Sequence, residues 1–182
     1  MSATAEAESV TGEPGIQLGD GRRVTIRPID LADADGLFAF YRSLSPGARY
    51  ARFLGTAAGM GDGAVTSFAR VDHASAEGFV AVLQERGPAD GTIVGHLCLE
   101  PDGESSNEVA VAVAGGFRRH GIGKALMAFA VMSARRRGIR RLTATMFATN
   151  LPMRRLMLDA GLPAAVDDVA AGVESIELQA AA

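Results

Sequence analysis

The sequence predicts one α/β (α+β) domain: a mixed, mostly antiparallel sheet flanked by helices, with a single parallel strand-helix-strand crossover. Three observations carry this. Val109 to Met132 starts as a strand, with Val109, Val111 and Val113 alternating with Ala110, Ala112 and Ala114. It breaks at Gly115-Gly116 and re-forms as a helix whose Ile122, Ala125, Leu126, Phe129 and Met132 share one face. Before it, Phe79 to Leu83, Thr92 to Leu99 and Glu108 to Ala114 read as three strands parted by turn signals at 87–91 and Pro101-Asp102-Gly103, the pattern of an antiparallel meander. After it, Arg141 to Phe147 is a further strand, so the helix between must be a parallel crossover.

The remaining elements follow in order. Residues 1–21 read as a flexible tail, 22–179 as the domain and 180–182 as a frayed end. Val24 and Ile26 alternate in a first strand that Pro28 ends. Asp30 can cap the next helix, with Leu37, Phe40, Tyr41 and Leu44 on one face. Ser45-Pro46 is a capping serine with proline in the first turn, opening a helix that carries Tyr50, Phe53 and Leu54. The chain turns again near Gly59 to Gly63, where Asp62 can cap a short helix. Arg135-Arg136-Arg137 and Gly138 end the long helix, where cations and glycine are favoured, so that run needs no nucleic acid to explain it. Asn150 caps a helix running from Leu151-Pro152 to Gly161, and Ile176 to Leu178 is the last strand.

Composition bounds the function. The 182 residues are 48% hydrophobic and 21% charged, a globular balance, and the net charge of −3 gives no basic excess for nucleic acid. The one cysteine, Cys98, falls in an apolar run and reads as a small core residue. His73, His96 and His120 are scattered without metal spacing, so no metal is expected. There is no apolar run of membrane-spanning length and no basic-then-apolar leader, so a cytoplasmic protein without membrane contact is the expectation.

The chemistry concentrates where the strand becomes the helix. Arg118, Arg119 and His120, followed by Gly121-Ile122-Gly123-Lys124, place cations at the positive end of a helix, which is locally unfavourable. An anion seated among them resolves the conflict, with glycines admitting a phosphate close to backbone N–H groups. A Walker loop is disfavoured, because Arg118 and Ala125 stand where it needs glycine and Ser or Thr. A dinucleotide fingerprint is disfavoured by Leu126.

What remains, Arg118-x-x-Gly121-x-Gly123, resembles the pyrophosphate loop of the GNAT superfamily of acyl-CoA N-acyltransferases, and the element order from about 22 to 179 is similar to the GNAT fold. Arg27-Pro28, the stretch Ser45-Pro46-x-x-Arg49-Tyr50-x-Arg52-Phe53 and Asn150-x-Pro152-Met153 resemble the acetyltransferase domains of bacterial protein lysine acetyltransferases that act on acyl-CoA synthetases. The resemblance implies acetyl-CoA as acyl donor. Its thioester would be held by backbone groups of Val111, Ala112 and Val113, and its pyrophosphate by Arg118, Arg119, His120, Gly121, Ile122, Gly123 and Lys124. Asn150 would reach the pantetheine, a role compatible with helix capping.

A lysine amine with a reference pKa near 10.4 is neutral in only about one molecule in a few thousand at pH 7, so a base is expected. Glu108 matches the glutamate those enzymes carry at this position, and alternation puts it on the alanine face; the plainer reading is a strand-end carboxylate in water. The tyrosine that many relatives use as general acid is replaced by Met157. Three functions stay open: transfer to a protein lysine, transfer to a small amine, and a non-catalytic acyl-CoA sensor. Oligomeric state is not legible.

Overall fold

The computed structural model describes residues 15–54, 62–84 and 91–180. Among the described residues, eight strands form one sheet in the order β1-β2-β3-β4-β5-β6-β8-β7. They are β1 (Gly15–Gln17), β2 (Arg23–Pro28), β3 (Glu77–Gln84), β4 (Ile93–Gly103), β5 (Ser106–Val113), β6 (Arg141–Phe147), β7 (Ala164–Ala170) and β8 (Val173–Gln179). Every neighbouring pair is antiparallel except β5 with β6, which is parallel, as the crossover requires. The helices are α1 (Ala34–Ser43), α2 (Pro46–Arg52), α3 (Asp62–Ala69), α4 (Ile122–Arg136) and α5 (Leu151–Leu158).

The sheet divides the apolar residues into two cores. Val109, Ile122, Leu126, Met127, Leu142, Met146 and Met157 pack between one face of the sheet and α4 and α5, with Val111 and Val113 alongside. Leu37, Phe40, Tyr41, Val80 and Ile93 pack on the other face under α1 and α3, with Ala112 and Ala114 at the border. The alternation of β5 therefore separates a valine face from an alanine face.

Several boundaries differ from expectation. Gly15–Gln17, inside the stretch read as a tail, pairs with β2, and Ala180 is buried with its N–H bonded to the Arg140 carbonyl. Asp30 caps a single 3-10 turn, Leu31–Asp33, that leads into α1, and Arg27 grips Asp33 through two bonds of 2.7 and 2.6 Å. Ser45 caps α2 as expected, but the helix ends at Arg52; Phe53 is its C-cap and Leu54 lies beyond it. Pro101-Asp102-Gly103 is strand rather than turn. β3 reaches only to the Glu77–Leu99 pair, so Pro101 lies on an edge where no N–H is required. The hairpin is the two residues Glu104-Ser105, and Glu108 is accordingly the third residue of β5 rather than its first. The expected helix to Gly161 ends at Leu158, and β7, an edge strand, was not foreseen. The turn near Gly59, most of the turn at 87–91, the tail before Gly15 and the side chain of Asp62 lie outside the described residues.

Candidate active site

The site begins with a failure of pairing. β5 meets β6 only at Ser106 with Arg141, Asn107 with Leu142 and Glu108 with Thr143. Beyond that point β6 stays paired with β8 as far as Phe147, and β5 stays paired with β4 as far as Val113, so the two strands splay into a wedge. The phase of β5 decides which backbone groups line it. Ala114 N–H donates to the Val94 carbonyl of β4, so Ala112 and Ala110 also point toward β4. Val109, Val111 and Val113 turn their N–H and C=O groups into the wedge. Ala112 therefore offers it no backbone group, contrary to expectation; alternation leaves that to its neighbours.

At the open end of β5, a 3-10 turn at Gly115–Phe117 leads into the basic loop. Arg118, Arg119, His120, Gly121 and Lys124 are exposed, Gly123 is partly covered and Ile122 is buried. Gly121 stands at the N-cap of α4 with φ +85°, a conformation glycine adopts without cost. No side chain caps the helix, so the N–H groups of Ile122, Gly123 and Lys124 face outward together. A Cβ on Gly123 would meet Leu156 at 3.6 Å and Val113 at 4.0 Å, both ordinary contacts, so the fold does not demand glycine there. Arg118 turns back, its Nε donating to the Val113 carbonyl at 3.1 Å. The loop is held against the sheet by close approach at Gly95, where a Cβ would lie 3.2 Å from Ile122, Leu126 and Ala81 alike.

Glu108 stands at the apex of the wedge on the alanine face, half-buried, directly across the ladder from Glu100. Around them is a polar cluster that sequence reasoning did not assemble. Arg52, from α2, donates from Nη2 to Cys98 Sγ at 3.1 Å, and its guanidinium lies over the rings of Phe53 and Phe68 at 5.1 and 5.4 Å. Its Nε is buried without a hydrogen-bond partner among the described residues. Burial raises the Cys98 thiol and the Glu100 carboxyl above their usual values, with Arg52 pulling both the other way. The Tyr41 hydroxyl lies 2.8 Å from His96 Nδ1. Burial pushes Tyr41 up to about 12 and His96 down to about 3, so both the phenol and the imidazole are neutral and share one hydrogen bond. Cys98 is thus a core residue, as expected, but one with a cation against its sulfur. The signal for this cluster was only a charged residue at the end of an amphipathic helix, which ordinarily reads as solvated.

Asn150 caps α5, its Oδ1 accepting from Met153 N–H at 3.3 Å, which leaves the side-chain NH₂ with no partner among the described residues. Met157 is fully buried in the core and offers no proton. The arginine run is structural: Arg135 donates to the Ala180 carbonyl, and Arg137 to the carbonyls of Ala74 and Ser75. No group of three or more His, Cys, Asp or Glu that could hold a metal occurs among the described residues, and no helix among them is long and apolar enough to cross a membrane.

A splayed parallel pair with backbone groups open along one arm, ending at uncapped helix N–H groups, suits a ligand that is extended, amide-bearing and phosphorylated at one end. That defines the acyl-CoA-dependent N-acyltransferases. The family model of the Acetyltransferase (GNAT) family matches residues 51–161, and the chain belongs to that family. It is an acyl-CoA-dependent N-acetyltransferase. An acetyltransferase of Pseudomonas aeruginosa is 30% identical over 158 residues, covering 85% of this chain and 83% of the relative. The GNAT domain of S. lividans PAT superposes with a TM-score of 0.78 at 26% identity, over 92% of this chain and 96% of that one. The fold is shared with yncA from Salmonella typhimurium, solved with its cofactor acetyl-CoA: TM-score 0.67, 18% identity, 87% of this chain and 95% of that one.

Proposed function

We propose that this acetyltransferase moves the acetyl group of acetyl-CoA to a primary amine, a lysine side chain on a protein, with Glu108 as general base. The observation that carries the reading is the position of Glu108. It sits where the wedge closes, on the face opposite α4. The basic loop opens α4 on the valine face, so the donor enters from that side and the acceptor from the alanine side. Glu108 is then the first ionisable group the acceptor nitrogen meets beside the thioester.

In this reading, the N–H groups of Ile122, Gly123 and Lys124 bind the pyrophosphate, with Arg119, His120 and the Lys124 ammonium neutralising its charge and Gly121 shaping the turn. Arg118 braces the end of β5 through the Val113 carbonyl. Val111 and Val113 extend their strand edge to the pantetheine amides, and the Asn150 NH₂ donates to the same arm. Ala112 contributes by being small. The donor supplies an activated thioester. Glu108 takes one proton from the acceptor ammonium, allowing the nitrogen lone pair to form the new C–N bond as the C–S bond breaks, and the second proton, acidic once the nitrogen is acylated, passes to the departing thiolate. Wedge-facing N–H groups of β5 stabilise charge on the carbonyl oxygen. No acid is required, because a thiol with a pKa of about 8.5 leaves passably as thiolate. The domain acting in this way is residues 22–179, with Gly15–Gln17 added to its sheet edge.

Glu108→Gln keeps the size and removes the proton acceptor. It should lower kcat by about 10²- to 10⁴-fold while acetyl-CoA affinity by calorimetry stays within about twofold. A rate within about threefold of the parent would place the base elsewhere. For the acceptor, labelled acetyl-CoA with a cell lysate should mark lysine peptides in a Glu108-dependent way. Brisk CoA release with small amines and no protein label would make it a small-amine enzyme.

A further inference from the structure

One exposed aromatic pair is not used by the mechanism above. Tyr50 of α2 lies flat on Phe147 of β6, ring centroids 5.2 Å apart and planes within 6°. Tyr50 is nonetheless 59% exposed, with one ring face backed by Phe147 and no ring contact on the other among the described residues, which we take as its open face. Its neighbours are firmly placed: Arg52 reaches into the cluster at Cys98, and Phe53 packs with Tyr41. The open face is therefore a fixed surface rather than a frayed side chain. Its location matters more. Thr143, Thr145 and Phe147 share the alanine-side face of β6, since Leu142, Ala144 and Met146 are core residues on the other. Phe147 is the last residue of the arm that splays away from Glu108, so the Tyr50–Phe147 pair borders the wedge on its acceptor side.

The apex shows a matching need. Glu100 and Glu108 stand directly opposite each other across the β4–β5 ladder, and neither takes part in a salt bridge among the described residues. Like charges opposite each other in a ladder are unfavourable, and a cation between them removes the penalty. Arg52 is near enough to attract Glu100, but its hydrogen bonds go to Cys98 and Tyr41.

We propose that the open face of Tyr50, backed by Phe147, is the acceptor-specificity surface. It receives the alkyl stem of an alkylammonium acceptor whose charged end is directed to Glu100 and Glu108. A rigid aromatic face suits both parts of such a group, apolar contact for the methylenes and the ring quadrupole for the cation. Small polar or anionic amines gain nothing from it. The proposal rests on the reading that acceptors enter on the Glu108 side.

The probe is Nα-acetyl-lysine amide, assayed by CoA release with the parent, Tyr50→Ala and Tyr50→Phe. Tyr50→Ala should raise KM for the probe about tenfold with kcat changed less than threefold, and Tyr50→Phe should restore KM to within about twofold. Calorimetry with acetyl-CoA reports on the donor side and should give the parent's affinity in both variants, which also confirms that they are folded. Transfer to the probe with KM unmoved by Tyr50→Ala overturns this proposal alone. Failure of the parent to acetylate the probe overturns both it and the lysine reading.

Discussion

Along β5 the valines and the alanines look to opposite sides of the sheet, and those sides differ in kind. Beneath the valines, Leu126, Met127, Ala130 and Met157 make an apolar layer that seats α4 tightly on β4 at Gly95, with the buried Ser133–Glu77 pair further along the helix. Beneath the alanines, apolar residues share the space with Tyr41, His96, Arg52, Cys98 and Glu100. A layer of hydrocarbon packs to one solution and holds a helix terminus rigidly in place. A buried polar layer is costly unless satisfied, and here two of its atoms, Arg52 Nε and His96 Nε2, have no partner among the described residues. The contrast matches a division of labour. On the proposed reading, the stiff side carries the loop that meets the invariant end of the donor, and the polar side faces what varies, the acceptor.

Three experiments break or sharpen this contrast. The largest effect belongs to the stiff side. Leu126→Ala should cost about 2–5 kcal/mol of stability, because it opens a cavity where α4 touches the sheet. A loss below about 1 kcal/mol by denaturant titration would mean that the valine side is not closely packed.

A second test reads the polar side through pH. His96 is held near 3 in the folded chain against 6.5 when unfolded, so between those values the unfolded state binds the extra proton. Stability should therefore be fully present above about pH 6.5 and fall on acidification, with a contribution of up to about 1.4 kcal/mol per pH unit from this one group. His96→Gln should flatten the slope by that amount, whatever it does to stability at pH 7. Parallel slopes for parent and variant would show that His96 is not buried neutral.

The smallest effect on stability should come from the loop. Gly123→Leu should leave the fold intact, since the new Cβ meets Leu156 and Val113 only at ordinary contact distance, while acetyl-CoA affinity should fall by about tenfold or more, about 1.4 kcal/mol. Unchanged thermal unfolding with lost binding separates the ligand's need for glycine from the fold's. Unaltered affinity would remove the proposed pyrophosphate site.

Much of this was legible in the residues, because the informative signals are local. The Val/Ala alternation needs only the two-residue period of a strand. Ser45-Pro46 and Asn150 cap their helices with groups a few residues away, as their spacing indicates. The clash of Arg118, Arg119 and His120 with a helix N-terminus follows from the dipole alone. Edges were less legible. Gly15–Gln17 and Ala164–Ala170 are strands because a neighbour supplies their hydrogen bonds, and their own side chains carry little alternation.

The sequence by itself determined the fold class, the two faces of β5 and the basic loop, each written in stretches that their own backbone period or helix end decodes. Only the tertiary structure decided that β5 and β6 part after Glu108 and Thr143, that Glu100 stands opposite Glu108, that Arg52 reaches Cys98, and that Tyr50 lies on Phe147. These join residues from separate elements, between 8 and 97 positions apart in the chain. Which of them meet depends on register, splay and helix placement, and those are set by how the whole sheet packs between its two layers of helices.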